Sequence, residues 1–122
     1  MVKKILYVQT SGTDTPERLY APFILATTAR AMGVEATVYF LGKGVTTVMK
    51  GNAEKIKLGS FPTVKQVMDQ AAKEGVRMLI CGQSCQMLGL KGDPEEFEDP
   101  AKVVGAATLN DLLLESDAVL SF

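Results

Sequence analysis

The chain has no histidine and no tryptophan among its 122 residues. Without histidine there is no Ser-His or Cys-His nucleophile pair, and a transition-metal site would have only two thiols and carboxylates as ligands. Cysteine is scarce, with Cys81 and Cys85 alone. Neither sign of charge prevails: 13 basic against 14 acidic residues leave a net charge of −1, and no stretch is strongly basic. The clustered positive surface that binds nucleic acid through counterion release is therefore missing, and no direct nucleic-acid partner is expected. The one acidic run, Glu95, Glu96, Glu98 and Asp99, reads as a solvated loop. No apolar run approaches the length of a bilayer span, so no membrane span is expected. Met1-Val2-Lys3-Lys4 precedes the apolar residues Ile5 to Val8, in outline like a signal peptide. That run stops after four residues at Gln9-Thr10-Ser11, too soon for a secretory core, and it reads as a first strand. The expectation is a cytoplasmic protein whose cysteines are thiols rather than a structural disulfide. There is no GxGxxG, no Walker sequence, no internal repeat and no low-complexity segment. The six methionines are scattered along apolar faces and read as core filling.

What is present describes one compact domain over residues 1–122. Apolar residues make up 47% and charged residues 22%, enough to bury a core and exclude wholesale disorder. The mean hydropathy of +0.14 is high for a small monomer. Small domains bury a limited share of their surface, so surplus apolar residues point toward a subunit interface.

Strand and helix signals alternate along the chain. Lys3 to Gln9 is a β-forming apolar run ending in the turn cluster Thr10–Thr15. Pro16 suits a first helical position with Thr15 or Asp14 as cap, and Leu19, Phe23, Ala26, Arg30 and Ala31 follow helical spacing to Gly33. Pro22 interrupts this pattern and predicts a helix that restarts there. Val34 to Leu41 alternates as a second strand, Gly42-Lys43-Gly44 turns the chain, and Val45 to Lys50 has short-helix character. After an exposed connection over 51–62, Thr63 and Gln66 have capping-box spacing before the stripe Val64, Val67, Met68, Ala71 and Ala72. Val76 to Cys81 is nearly continuously apolar, the mark of a strand covered on both faces. A short helix from Gly82 to Leu88, a polar loop over 91–101, a strand at Val103-Val104, a helix over 106–115 and a strand over 118–122 complete the chain. Such alternation implies a mostly parallel sheet flanked by helices. Ligands and reactive groups then collect beyond the carboxyl ends of the strands, where the 10–15 loop, the 42–44 turn and the 81–85 segment converge.

Cys81 ends a buried strand at the start of a helix, where free amides favour an anion and lower a thiol pKa. Gly82 allows close backbone approach to a sulfur adduct, and Lys43 on the neighbouring turn is a candidate positive charge. Buried cysteine also serves as plain core filler, and position alone leaves both readings open. Cys85, one helical turn on, reads as a packing residue more readily than as a resolving thiol, because regular helical geometry presents the pair poorly for a disulfide. The hydroxyl-rich loop Thr10-Ser11-Gly12-Thr13-Asp14-Thr15 resembles the phosphate turn of flavodoxins, a composition equally at home in turn and capping chemistry.

The segment Leu79-Ile80-Cys81-Gly82-Gln83-Ser84-Cys85-Gln86-Met87-Leu88-Gly89-Leu90 resembles the cysteine segment of the DsrE/DsrF-like family, TusD-like sulfur-relay subunits among them. In that family an apolar strand ends in cysteine and a glycine comes eight residues later, as Gly89 does here. Phe40-Leu41-Gly42-Lys43-Gly44-Val45, Val104 to Leu109 and Ser116 to Phe122 are similar to further family segments, so the likeness spans nearly the whole chain. It implies a three-layer α/β/α sandwich with five mostly parallel strands, commonly assembled as trimers or hexamers or with related subunits. It also implies that Cys81 carries sulfane sulfur as a persulfide between a donor and an acceptor protein, with Gly82, Ser84, Lys43, Thr13 and Cys85 as supporting candidates. Cys85 is not part of the family's core pattern, and many members are labelled predicted peroxiredoxins. Two other functions stay open beside this one: a nucleotide or small-ligand module using the 10–15 loop, and a thiol redox protein using Cys81 and Cys85. A non-catalytic assembly subunit is a further reading. Sulfur transfer calls for no cofactor and no metal.

Overall fold

The computed structural model describes residues 3–122; Met1 and Val2, which open the basic N-terminal run, lie outside the described residues. The strands β1 (Lys4–Gln9), β2 (Glu35–Phe40), β3 (Arg77–Cys81), β4 (Lys102–Val104) and β5 (Ala118–Ser121) form a parallel sheet in the order β4-β3-β2-β1-β5. Four α-helices are described: α1 (Ala21–Ala31), α2 (Val64–Lys73), α3 (Gly82–Met87) and α4 (Ala106–Glu115).

Alternation along the strands divides the core in two. Tyr7, Val38, Phe40, Met78 and Ile80 face Phe23, Ala26 and Ala29 of α1 and Val64, Met68 and Ala71 of α2. Leu6, Val8, Tyr39, Leu79 and Cys81 face the other way, toward Leu112 of α4. The connections through α1 and α2 step from β1 to β2 to β3 in one direction. The connection through α4 returns past β1 to β5, so a right-handed crossover lays α4 on the opposite face. The result is the expected α/β/α sandwich. No helix among the described residues is long and apolar enough to cross a membrane.

Local chemistry explains most of the element ends. The capping box predicted at α2 is complete, with Gln66 N–H donating to Thr63 Oγ1 at 3.1 Å and Thr63 N–H donating to Gln66 Oε1 at 2.8 Å. Pro22 sits in the first turn of α1, where its missing N–H costs no helical bond. Before it, Pro16–Arg18 makes only a single 3₁₀ turn, and the Thr15 hydroxyl donates to the Gly12 carbonyl at 3.2 Å instead of capping a helix. Ala31 is exposed and Ala29 takes the inward position, because the restart at Ala21 resets the helical phase.

Three stretches differ from their sequence reading. In β2, Ala36 to Phe40 are consecutively buried rather than alternating, since β2 is the middle strand and is covered on both faces. The exposed connection over 51–62 is pinned by fully buried Ala53 and by Tyr20, whose hydroxyl donates to the Pro62 carbonyl at 2.8 Å. The polar loop over 91–101 buries Phe97, and part of its acidic run grips backbone. The Glu98 carboxylate accepts from Gly51 N–H at 2.9 Å, and Glu96 accepts from Gly92 and Asp93 N–H at 2.7 and 2.8 Å.

Candidate functional site

The carboxyl end of β3 supplies the site. Cys81 leaves the strand with φ −70° and ψ 116° and becomes the N-cap of α3. Its Sγ accepts the Ser84 N–H at 3.4 Å, the bond an N-cap oxygen makes in other helices. Ser84 is itself buried, and its hydroxyl oxygen accepts the Gly42 N–H at 2.8 Å. A serine hydroxyl that already accepts still has its proton to give, and the Ser84 side chain lowers the Cys81 thiol. The 42–44 turn after β2 thereby fixes a group beside the cysteine at the end of β3. Gly82 has a steric role: a Cβ there would stand 3.2 Å from the Val104 carbonyl oxygen and 3.5 Å from Val103 Cγ1. The close approach at Gly82 is one to β4 and says nothing of a sulfur adduct.

Burial pushes the Cys81 thiol up, but the Ser84 side chain, the Ser84 and Gln83 amides and the Tyr39 hydroxyl outweigh it. The net displacement is below the ordinary thiol value. Each of these groups points positive charge at the sulfur, so each favours the thiolate. Cys81 is only 5% exposed, which differs from the accessible thiol that a sulfur carrier leads one to expect. It packs in the apolar cluster of Leu79, Leu112 and Tyr39, against which Leu41 and Val104 also lie.

Cys85 has the opposite character. It is 1% exposed, sits in the larger core beneath α1 and α2, and is pushed up by burial and then by Cys81. Both cysteines are free thiols. Cys81 belongs to one core cluster and Cys85 to the other.

Other predicted site residues lie elsewhere. Lys43 is exposed and its Nζ pairs with Asp14 at 2.8 Å, so its charge is directed at the first loop instead of at the sulfur. Thr13 donates its N–H to Thr46 Oγ1 at 3.1 Å. The amides that would make the 10–15 loop a phosphate cradle are largely spent: Thr10 and Ser11 N–H both donate to the Phe122 carbonyl, and Thr15 N–H donates to Gly12. The loop runs into a three-residue 3₁₀ turn, without the row of free amides that opens an α-helix. The resemblance to a flavodoxin turn is compositional.

The residue that the sequence did not single out is Tyr39. It is fully buried, and its hydroxyl makes no hydrogen bond of ordinary geometry. Tyr39 pairs with Leu79, two residues before Cys81 on the same sheet face. Burial, and secondarily Cys81, push its phenol up to about 12. Tyr39 shares its strand with a second hydroxyl, Thr37, and no local sequence signal sets it apart.

Comparison with known proteins identifies the family and agrees with the fold. The family model described as the DsrE/DsrF-like family matches residues 3–122. The uncharacterized protein MJ0989 of Methanocaldococcus jannaschii is 29% identical over 122 residues, covering 98% of this chain and 99% of its own length. MJ0760 of the same organism is 24% identical over 107 residues; the match takes in 88% of this chain but only 38% of that longer protein. Among solved structures, the ychN protein of E. coli has a TM-score of 0.79 at 19% identity, with all of both chains covered. BT1422 of Bacteroides thetaiotaomicron, a conserved protein of unknown function, has a TM-score of 0.68 at 15% identity over 98% of this chain and 95% of its own. At these identities the two structures speak to the fold alone.

Proposed function

The chain belongs to the DsrE/DsrF-like family, and from that premise we propose that it is a sulfur carrier that holds sulfane sulfur on Cys81 as a persulfide. The observation that carries this is the set of donors around one sulfur: the Ser84 amide, the Ser84 hydroxyl and the Gln83 amide, which together lower the Cys81 thiol despite its burial. In the loading step the Cys81 thiolate attacks the outer sulfur of a donor persulfide. The Sγ–S bond forms as the donor S–S bond breaks, and the electron pair leaves on the donor sulfur, which takes a proton from solvent. Delivery is the same exchange in reverse, with an acceptor thiolate attacking and the Cys81 thiolate leaving. A depressed thiol pKa improves that leaving group. Neither step needs a metal or a cofactor. Burial shields the carried sulfur from bulk oxidants and thiols, and reducing cytoplasm keeps Cys81 available. The direct test is intact-protein mass after exposure to a small persulfide. One added sulfur, released by a thiol reductant, is expected; an unmodified mass would sink the proposal.

The Ser84 hydroxyl gives a second check. Ser84→Ala removes one donor to the sulfur and leaves the Gly42 N–H without its acceptor. The Cys81 thiol should rise, slowing alkylation at neutral pH by about three- to tenfold. Losing the acceptor of a half-buried amide should cost about 1–3 kcal/mol. Rates of iodoacetamide labelling against pH, with urea denaturation alongside, measure both effects.

β5 is exposed along its whole length, with Val119 and Leu120 about half exposed, and Leu113 and Leu114 of α4 stand in solvent nearby. An apolar edge strand left bare invites pairing unless a partner covers it. We propose that this edge joins copies of the chain. Sedimentation equilibrium should then give a multiple of the 13.1 kDa chain mass, and Leu114→Glu should shift it toward the monomer without loss of helical signal. A wild-type monomer at micromolar concentration would refute it.

A further inference from the structure

The buried side-chain oxygens without partners among the described residues are Gln9 Oε1, Tyr39 OH and Thr47 Oγ1. Gln9 still uses its amide nitrogen, donating to the Ser11 carbonyl at 2.8 Å. Tyr39 uses nothing. A phenol enclosed in an apolar cluster gives up its water bonds, and phenylalanine would fill the same space without that loss. The hydroxyl is therefore a cost to the fold unless another state of the protein engages it.

We propose that the Tyr39 hydroxyl is a donor to the Cys81 sulfur, engaged when that sulfur is ionised. The register carries the geometry. Tyr39 is paired with Leu79 in the parallel ladder between β2 and β3, so it lies one pleat below Cys81 on the face both side chains share. Diagonal neighbours on one face of a sheet are within reach of a long aromatic side chain. A neutral thiol is a weak acceptor and leaves the hydroxyl unpaired; a thiolate is a strong one. The Ser84 groups belong to α3, whereas Tyr39 belongs to β2.

The direction of the perturbations fits. The Tyr39 hydroxyl lowers the Cys81 thiol, and a phenol pushed up to about 12 remains protonated wherever the thiol titrates. Tyr39 thus acts as a donor and not as a base. Cys85 of α3 is in the other core cluster but feels the Cys81 charge, and it is itself pushed up, first by burial and then by Cys81. The surrounding cluster adds Leu109 and Leu112 from α4 and Val104 from β4, none of them titratable, and Lys43 is tied to Asp14.

This role deepens the proposed function, since it concerns the same reactive sulfur, but it does not require that sulfur to be loaded. Tyr39→Phe keeps the ring and removes only the hydroxyl. The measurement is the rate of iodoacetamide labelling of Cys81, in a Cys85→Ser background, across the alkaline range, together with the melting temperature at neutral pH. The expected result is a profile displaced to higher pH by half to one unit, about a three- to tenfold slower rate below the midpoint. The high-pH plateau should be unchanged and the melting temperature unchanged or higher. An unshifted profile in a folded variant overturns the proposal and leaves Tyr39 as packing. Tyr39→Leu, which also loses the ring, should shift the profile and lower the melting temperature. If it alone shifts the profile, the ring matters and the hydroxyl does not. Persulfide loading measured on the same samples separates the two proposals: a shifted profile without loading supports the Tyr39 donor and removes the carrier function.

Discussion

Cys81→Ser is expected to come through incubation with a small persulfide at unchanged mass, while the parent chain and Cys85→Ser each gain one sulfur. The effect is all or none, because the oxygen that replaces Sγ cannot form the covalent S–S bond that holds the cargo. The substitution is also unusually safe for the fold. Cys81 caps α3 by accepting the Ser84 N–H, and serine is among the preferred residues for that position. Cys81→Ser should therefore keep α3 in place and melt within a few degrees of the parent. Cys85→Ser is the harsher change, since it places a hydroxyl in the large core where the sulfur is 1% exposed. A buried hydroxyl without a partner costs about 1–3 kcal/mol, yet loading should persist. If Cys85→Ser abolished loading in a folded chain, the two thiols would act together, and redox chemistry would replace simple carriage. A second added sulfur on the parent chain would likewise implicate Cys85.

The fold was legible because its signals are local. The nearly continuous apolar run of β3, the capping box at Thr63 and Gln66 and the glycine after α3 arise from the chemistry of adjacent residues. Cys81 was legible for the same reason, since strand end and helix start adjoin in sequence. The features that escaped depend on contacts between distant segments. Whether β2 has one covered face or two depends on its place in the sheet order, which no local pattern encodes. Lys43 could be placed beside the strand ends, but its choice of Asp14, 29 residues away, is settled by the fold of the first loop. Ser84 gained its function from Gly42, 42 residues earlier. Tyr39 was hidden most thoroughly. Its composition signal is that of any β-forming aromatic, and only the β2–β3 register sets it below Cys81.

The 42–44 turn gives the sharpest stability test, because its two glycines look alike in sequence and differ in three dimensions. Gly42 has φ +57°, and a Cβ there would meet open space. Gly42→Ala should therefore cost only the left-handed backbone penalty, about 1–2 kcal/mol. Gly44 has an ordinary backbone, but a Cβ there would overlap the Gln9 carbonyl oxygen and stand 2.7 Å from its carbon. That carbonyl is not free to move: it accepts the Leu41 N–H at 3.0 Å, at the end of a strand paired on both sides. Relief has to come from the turn, by lifting the 3₁₀ segment Gly42–Val48 off the sheet and uncovering Val45 and Val48, both fully buried. Gly44→Ala should cost about 3 kcal/mol or more, at the upper end of overpacking, read as a fall in the urea midpoint well beyond that of Gly42→Ala. The site should register the same displacement. Lifting the turn withdraws the Gly42 N–H that orients the Ser84 hydroxyl, so the folded fraction of Gly44→Ala should also alkylate Cys81 more slowly at neutral pH. Equal stability of the two variants would show that the turn does not pack on β1 as closely as this geometry requires. The larger stability loss in Gly44→Ala with unchanged alkylation would instead separate the turn from the thiol, leaving the α3 amides as the principal donors to the sulfur.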